Sequence, residues 1–596
     1  MNLLSLSNEV LLHIFSRNSI SIPDLQSLMV SCRSLCNIIQ ASDELWKLKY
    51  FERWGNLLIF QPPERNEKVW FMRTTLRCRK IKEVRKVVQS LSSIAYPVGQ
   101  SPLLVINKLI AGPYPIPEYV QKELEDIIDE NMKENKTIAY YARDALVKVR
   151  ISILDHRWRD FVAQPKSHMS LLEGVVILYQ WVWFTIRRWE KQNFVRDFEI
   201  SLENITERVK QLAFEVGKVS NSADPEKRIE DILDLLKKVM FDEFKFKNFP
   251  FSEAFDCIQQ MFDDCPIVSC AIFQKVARKM DILCEPVFCN SSIGELLLKW
   301  NKDSAGSDED IYIDAYNRRT FKRSRAISIY PTLREQSTSV DSVLIHTMRL
   351  LCQNMFGFSA MEVRLYNSRM LCSLIPQDLS VILQYATNCI VQGFHLEDAI
   401  QLLQFQQLQL DVEKCCITKL DEQRAQITAA KTVQYRLPSV KFSVGLVVNY
   451  KEWRRHCNNP CVIVSWNQKF QESEEWETRG HEYDEEESND DFLAEDTEEE
   501  SDDDFISEDK ADSSTKQIFL IQDHTRYYVL MVDDHSNQYQ LNVPEDSLEF
   551  LPAAVAIEHD KIGVHFERFD GRRYVPNAEK RAQFPEDEAF TLSLIG

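Results

Sequence analysis

The chain has 596 residues, of which 44% are hydrophobic, 27% charged and 11% aromatic, so we predict a globular protein with several domains. Glycine is scarce at 14 residues, and neither a P-loop nor a G-x-G-x-x-G pattern occurs, which argues against nucleotide chemistry. The longest apolar run, Val175 to Phe184, is too short to span a bilayer and instead predicts a buried helix with no membrane partner.

The net charge of −20 comes from one segment of the chain. Between Gln471 and Asp512 there are 22 Asp and Glu residues against Arg479 and Lys510, and the rest of the chain has 69 acidic and 69 basic residues. Such a composition cannot bury a core, so residues 471–515 are predicted to be a disordered acidic loop.

The 15 cysteines are scattered and lack the paired Cys-x-x-Cys spacing of a structural zinc site. They are best interpreted as reduced, mostly buried thiols of a cytoplasmic and/or nuclear protein. We therefore expect no metal and no cofactor.

Three short amphipathic helices are predicted in residues 1–54. Leu11 and its apolar neighbours mark the first, a four-turn face from Leu25 to Ile39 marks the second, and the third begins near Ser42 or Asp43. Helices this short have little interior of their own and need something to pack on. That surface is either a partner protein or, alternatively, the chain's own next domain.

The residue order in this region resembles an F-box, with departures only at Ser7, where the family usually has Pro, and at Leu35, where it often has Trp. The resemblance implies docking onto the Skp adaptor of a cullin-based (SCF) ubiquitin ligase. The matching residues are Leu6, Glu9, Val10, Leu11, Ile14, Phe15, Asp24, Leu25, Val30, Cys32, Arg33, Leu45 and Trp46. The residues expected to bind the adaptor are Leu6, Leu11, Ile14, Phe15, Leu25, Leu28 and Trp46.

Residues 55–166 are predicted to be a helical linker region, with helices at Glu118–Glu134 and Lys136–Phe161. Residues 167–328 are predicted to mix helices with two strands, Glu295–Trp300 and Ile311–Asp314. This second region resembles a transglutaminase-like domain, which implies α+β structure and a Cys, His and Asp triad.

The triad of the transglutaminase-like region is incomplete. Cys270 is the candidate nucleophile and Asp314 the candidate orienting carboxylate, but Glu295 stands where the family has its His. Because a Cys thiolate needs an imidazole base in this chemistry, we expect a non-catalytic relative that serves as a scaffold. An active Cys-dependent transglutaminase or protease-like enzyme is the alternative.

Residues 339–430 are predicted to form helical hairpins, and the turn from Gly393 to Ala399 resembles the joint of a tetratricopeptide-type hairpin. His395, within that turn, is expected to be a helix-start or core histidine.

From Tyr435 onwards the composition becomes β-rich. Residues 436–596 resemble the YccV-like (hemimethylated-DNA-binding) family, which implies a small β-barrel interrupted by the acidic loop. The segments that carry the resemblance are Phe442–Val447, Cys461–Trp466, Arg526–Leu530, Asn542–Leu548 and Phe566–Asn577.

The order of these regions predicts a mainly α, multidomain binding protein rather than an enzyme. The resemblances imply a substrate-recognition subunit of an SCF ubiquitin ligase, whose partners are the Skp adaptor, the cullin and protein substrates. DNA or chromatin binding through the YccV-like domain is an alternative. DNA is an unfavourable partner, however, because the chain outside the acidic loop has no excess of basic residues to neutralise phosphates.

Overall fold

The computed structural model describes residues 6–55, 69–111, 116–166, 168–186, 194–219, 225–243, 267–289, 296–300, 310–333, 338–354, 361–405, 411–451, 459–467, 525–532, 538–551 and 553–595. Over these residues the protein is mainly helical and forms two compact units. The helical unit comprises Met1–Gln434 and two return segments, Asp560–Arg568 and Val575–Gln583. The C-terminal unit comprises Tyr435–His559, Phe569–Tyr574 and Phe584–Gly596.

Four short helices lie at the N-terminus where three are predicted: α1 (Asn8–Phe15), α2 (Ile22–Ser31), α3 (Arg33–Ala41) and α4 (Asp43–Trp54). The predicted second helix is broken at Cys32, whose φ of −152° and ψ of 132° are extended. Ser31 contributes to the break, because its hydroxyl donates to the Leu28 carbonyl and competes with the helical ladder.

The next four helices are α5 (Val69–Ala95), α6 (Leu103–Ile110), α7 (Ile116–Asn131) and α8 (Lys136–Val162). Both helices predicted here from apolar spacing are present, as α7 and α8. Helix α8 is buried on most sides, and its Arg150 is neutralised by Glu125 of α7 at 3.0 Å. It is therefore the central helix of this region.

Helix α9 (Leu171–Ile186) contains the predicted buried run, and α10 (Phe194–Val219), α11 (Pro225–Lys238) and α12 (Ile267–Arg278) follow. An antiparallel sheet comes next, in the order β1 (Cys284–Phe288), β2 (Leu296–Trp300), β3 (Ile311–Asp314) and β4 (Arg319–Lys322). The two predicted strands are β2 and β3, and the structure adds one neighbour on each side.

Helices α13 (Arg323–Ile329), α14 (Val340–Asn354), α15 (Met361–Leu374), α16 (Leu379–Gln392), α17 (Leu396–Phe405) and α18 (Asp411–Ala429) complete the first stretch of the helical unit. Gly393 ends α16 with a φ of 67°, a left-handed conformation that glycine adopts without steric cost. Between α15 and α17, Arg369 pairs with Asp398, and it also reaches Asp155 of α8 at 3.1 Å.

The C-terminal unit contains a five-stranded antiparallel sheet in the order β8-β7-β6-β5-β9. The strands are β5 (Val447–Tyr450), β6 (Pro460–Asn467), β7 (Arg526–Val532), β8 (Gln538–Pro544) and β9 (Leu548–Phe550). Strands thus lie where the β-rich composition predicts them, and the acidic loop falls outside the described residues.

After the sheet come α19 (Ile562–His565), β10 (Phe566–Phe569), β11 (Tyr574–Pro576), α20 (Ala578–Gln583) and α21 (Asp587–Ile595). The return segments pack on α5 and α8 within the helical unit. Thr137 donates to the Phe566 carbonyl at 3.1 Å, and Tyr96 donates to Gln583 at 2.8 Å. At Gly563 an added Cβ would lie 2.4 Å from the Lys136 carbonyl oxygen, so only glycine fits this approach.

A buried carboxylate holds the C-terminal unit together. Asp587 is 2% exposed and accepts hydrogen bonds from the Arg436 guanidinium, the Val444 amide and the Trp466 indole, each at 2.8 Å. One carboxylate of α21 thereby accepts hydrogen bonds from the segment before the sheet, from the residues leading into β5 and from strand β6.

We expect Asp587→Ala to destabilise the C-terminal unit by about 3–5 kcal/mol, because it leaves the Arg436 cation buried without its counter-charge. Hydrogen exchange of the β6 and β7 amides in the full-length chain measures this loss. The control is Glu558→Ala, which removes an exposed carboxylate of the same unit and should change protection little. Unchanged protection in Asp587→Ala would contradict the assignment.

Candidate functional site

The seven residues expected to bind an adaptor all lie in or against one small hydrophobic core, here called the N-terminal core. Leu11, Phe15 and Trp46 are each 1% exposed, and Leu25 is fully buried. Leu6, Ile14 and Leu28 are half-buried against the same core. The structure therefore brings the predicted residues together, but four of them are occupied in holding α1 to α4 to one another.

Other apolar side chains of this region face solvent. Val10 of α1 is 46% exposed, Val30 of α2 is 89% exposed and Leu48 of α4 is 42% exposed. Val10 and Val30 belong to the F-box-like pattern. Because both side chains are exposed, packing within this chain does not explain why these positions are apolar. They are the side chains that a partner protein can reach without unfolding the helices.

Lys49 is a site residue that the sequence analysis missed. It is 2% exposed, and its ammonium group donates to the Ser16 and Arg17 carbonyls at 3.2 and 2.7 Å. These carbonyls lie at the C-terminal end of α1, where a positive charge is favourable and the last carbonyls lack helical partners. Glu52 neutralises Lys49 at 2.8 Å, so α4 fixes the end of α1.

Two acidic residues of the N-terminal helices, Asp24 and Asp43, have local structural roles. Asp24 and Ser21 form a reciprocal capping box at the start of α2, and the Ser21 hydroxyl lowers the pKa of the Asp24 carboxyl. The S-x-x-D spacing was a sequence signal for this cap. Asp43 accepts from the Trp70 and Phe71 amides at 2.8 and 3.2 Å, and thereby links α4 to the first turn of α5.

Arg77 of α5 joins the four helices to the rest of the helical unit. Its side chain is 2% exposed, and its guanidinium lies 5.3, 4.5 and 4.7 Å from the ring centroids of Tyr50, Trp54 and Tyr119. It also donates to the Tyr50 hydroxyl at 2.8 Å. Since Tyr50 and Trp54 belong to α4 and Tyr119 to α7, three helices meet at one cation.

The candidate catalytic residues of the middle region are not assembled into a site. Cys270 of α12 donates to the Leu296 carbonyl at 3.4 Å and shares its core with Ile313. Successive strand residues point to opposite faces, so Asp314 faces away from that core, where it accepts from the Tyr330 hydroxyl at 2.8 Å. The sheet separates thiol from carboxylate, and Glu295 lies outside the described residues. The transglutaminase-like interpretation stays a prediction.

The thiols of the described residues are buried for the most part, and burial raises the pKa of Cys284 and of Cys461 to about 12. Across the described ranges, His, Cys, Asp and Glu side chains form no group of three that could hold a metal ion. In the same part of the chain, no helix combines the length and the apolar character needed to cross a membrane.

Replacing Arg77 by Met should loosen α4 from α5 and α7 by about 2–4 kcal/mol, because a desolvated cation–π contact and a charged hydrogen bond are both lost. Hydrogen exchange of α4 amides should rise. Arg79→Met, an exposed position on the same helix, is the matched control and should leave exchange unchanged. Equal exchange in both variants would refute the role of Arg77.

Alkylation of the native chain by iodoacetamide should modify the exposed Cys415 at least about tenfold faster than the buried Cys270, because the reagent needs an accessible thiolate. Peptide mass spectrometry measures both rates, and denaturant should make them similar. Fast, selective modification of Cys270 in the native protein would instead favour the active-enzyme alternative.

Comparison with known proteins agrees with two of the resemblances drawn from the sequence, those to F-box proteins and to the YccV-like family. Residues 440–573 match the family model described as "Hemimethylated DNA-binding protein YccV like". The chain is 22%, 23% and 22% identical to F-box only protein 21 of Pongo abelii, Mus musculus and Homo sapiens. These alignments cover 100% of this chain and 93%, 94% and 93% of the three relatives. No solved structure matches the chain significantly. The chain is thus similar along its whole length to F-box only protein 21, and it carries a YccV-like domain.

Proposed function

We propose that this protein is a substrate-recognition subunit of an SCF-type ubiquitin ligase. Its N-terminal helices dock on the Skp adaptor and thereby on the cullin, and the regions after them hold protein substrates for ubiquitination and degradation. The observation that carries the proposal is the similarity to F-box only protein 21 over the whole chain.

In this proposal the chain is an adaptor and performs no bond chemistry itself. Its contribution is proximity, since holding a substrate beside a charged conjugating enzyme replaces a bimolecular encounter. A rigid connection between the two binding regions serves that purpose. Arg77 and Asp43 provide such a connection at the N-terminal end, because each links α4 to α5.

The burial of these side chains supports a different set of proposed adaptor contacts. Leu11, Phe15, Leu25 and Trp46 support the fold from inside the N-terminal core, and Leu6, Ile14 and Leu28 can offer only part of their surface. The exposed Val10, Val30 and Leu48 are better contacts, because an exposed valine or leucine gains free energy when a partner covers it.

The DNA-binding alternative is not favoured, although the name of the matched family model mentions DNA. DNA affinity comes mainly from lysine and arginine that are free to neutralise phosphates. In the described part of the C-terminal unit, several of these cations are paired with carboxylates. The pairs are Arg436–Asp587, Lys441–Glu545, Lys451–Glu549 and Arg573–Glu588.

The single substitutions Val10→Asp and Val30→Asp should each weaken recovery of the Skp adaptor and cullin by tenfold or more, on the order of the cost of placing a charge in an apolar interface. Pull-down from cells with the full-length chain measures the recovery. Hydrogen exchange of α1 to α4 should stay normal, because both side chains already face solvent.

Met72→Asp is the matched control, since Met72 is 69% exposed on α5 outside the F-box-like pattern and should bind normally. Leu11→Asp should lose binding together with amide protection, because it places a charge in the N-terminal core. If the wild-type chain fails to recover the adaptor, the proposed function is wrong. If the folded Val10→Asp and Val30→Asp variants recover it fully, the proposed docking surface is wrong.

A further inference from the structure

Helix α5 has a solvent-facing side that the adaptor-docking proposal does not use, here called the α5 surface. In a helix, residues three, four and seven positions apart share one face. Val84, Val88 and Leu91 pack in the core on one side of α5, so the helix is held in place without the other side. The exposed or half-exposed residues that make up the α5 surface are Met72, Leu76, Arg79, Lys82, Glu83 and Lys86.

The cations of the α5 surface have no acidic partner in the part of the chain that the structure describes. Within that part, no carboxylate forms an ion pair with Arg79, Lys82 or Lys86. Glu83 lies among them, but Lys80 neutralises it at 2.9 Å. The surface therefore carries an excess of positive charge, although the net charge of the whole chain is −20.

Arg53 of α4 adds a fourth cation beside the α5 surface. Burial raises the pKa of the Cys78 thiol, and the positive charges of Arg53 and Lys82 oppose that rise. Both cations therefore lie near the same thiol, which places Arg53 next to the surface. Arg79 and Lys86 are about 10 Å apart along the helix axis, roughly one Debye length at 0.1 M salt, so the potentials of these cations add.

Two exposed apolar side chains continue the α5 surface toward the start of the helix. Met72 is 69% exposed and Leu76 is 37% exposed. They precede Arg79 by seven and three positions, so they share its face. Nucleic-acid phosphates gain nothing from such side chains, and the residues of the α5 surface include no aromatic ring on which a base could stack. A polypeptide that combines acidic and apolar residues matches both halves of the surface.

We propose that the α5 surface binds an acidic polypeptide segment of a substrate, with its carboxylates on the four cations and its apolar side chains on Met72 and Leu76. That the partner is a substrate rests on the proposed function. The charge complementarity and the adjoining apolar side chains support a polypeptide as the occupant. Single-stranded nucleic acid and the chain's own acidic residues between 471 and 512 are the rival occupants.

The first experiment measures fluorescence anisotropy of a labelled peptide added to the full-length chain. The peptide is a Gly/Ser sequence with two leucines four positions apart, followed by four glutamates. It is used at physiological salt, which screens charges more than about 8 Å away. Replacing its glutamates by glutamines should weaken binding at least about tenfold, and replacing its leucines by serines should weaken it severalfold. Equal binding of the glutamate and glutamine peptides overturns the proposal.

The second experiment reverses two charges of the α5 surface. The variant Lys82→Glu/Lys86→Glu should weaken peptide binding at least about tenfold, because it replaces attraction by repulsion. Hydrogen exchange of α5 should stay normal, since neither side chain packs in the core. Lys166→Glu/Lys279→Glu is the matched control, because it changes the net charge equally at exposed positions of the same unit outside α4 and α5, and it should bind like wild type. Equal loss in both variants overturns the assignment to the α5 surface.

The third experiment tests the rival occupants. A labelled oligo(dT) should bind more weakly than the glutamate peptide, and tighter binding that is lost in Lys82→Glu/Lys86→Glu overturns the polypeptide assignment. Replacing every Asp and Glu of residues 471–512 by Asn and Gln should leave the affinity for the glutamate peptide unchanged. A tenfold gain would show that the chain's own acidic residues occupy the surface and would overturn the assignment to a substrate.

Failure of this proposal is distinguishable from failure of the ligase proposal. Lys82→Glu/Lys86→Glu should recover the adaptor and cullin as the wild-type chain does. Loss of adaptor recovery together with peptide binding would make the α5 surface part of the adaptor contact and would overturn the assignment to a substrate.

Discussion

The burial of Arg77 among Tyr50, Trp54 and Tyr119 decides how the N-terminal helices relate to the rest of the helical unit. A guanidinium loses its hydration when it is buried, and no carboxylate pairs with it among the described residues. Three aromatic faces and the Tyr50 hydroxyl replace the water. Because these rings come from α4 and α7, the four N-terminal helices do not form an independent module. They share a hydrophobic and cationic junction with α5.

The helical unit is organised around α5 and α8. Helix α5 begins at the N-terminal core, through Asp43 and Arg77, and near its end Ser92 donates to Glu579 of α20. The return segments then pack on its last turns and on α8, with Gly563 against the Lys136 carbonyl. A chain segment more than 400 residues distant thus completes the surface of the first helices. This packing fixes one end of the helical unit relative to the other, as the proposed substrate receptor would require.

Two of the candidate catalytic residues of the middle region do not meet in the folded chain. Cys270 and Asp314 lie on opposite faces of one sheet, and the buried thiols are shielded from reagents and solvent. Exposed apolar side chains on α1, α2 and α4 are available to contact other molecules.

Apolar periodicity and composition alone predicted α7 and α8, the buried α9, strands β2 and β3 and the β-rich C-terminus, because each depends on contacts that are local in sequence. The F-box-like and YccV-like patterns likewise came from residue order. Tertiary structure alone decided that Leu11 and Trp46 face inward while Val10 and Val30 face solvent, since a pattern records which residues share a face but not what covers it. The contacts of Lys49 and Arg77 and the packing of Gly563 on α8 depend on segments that meet only after the chain has folded.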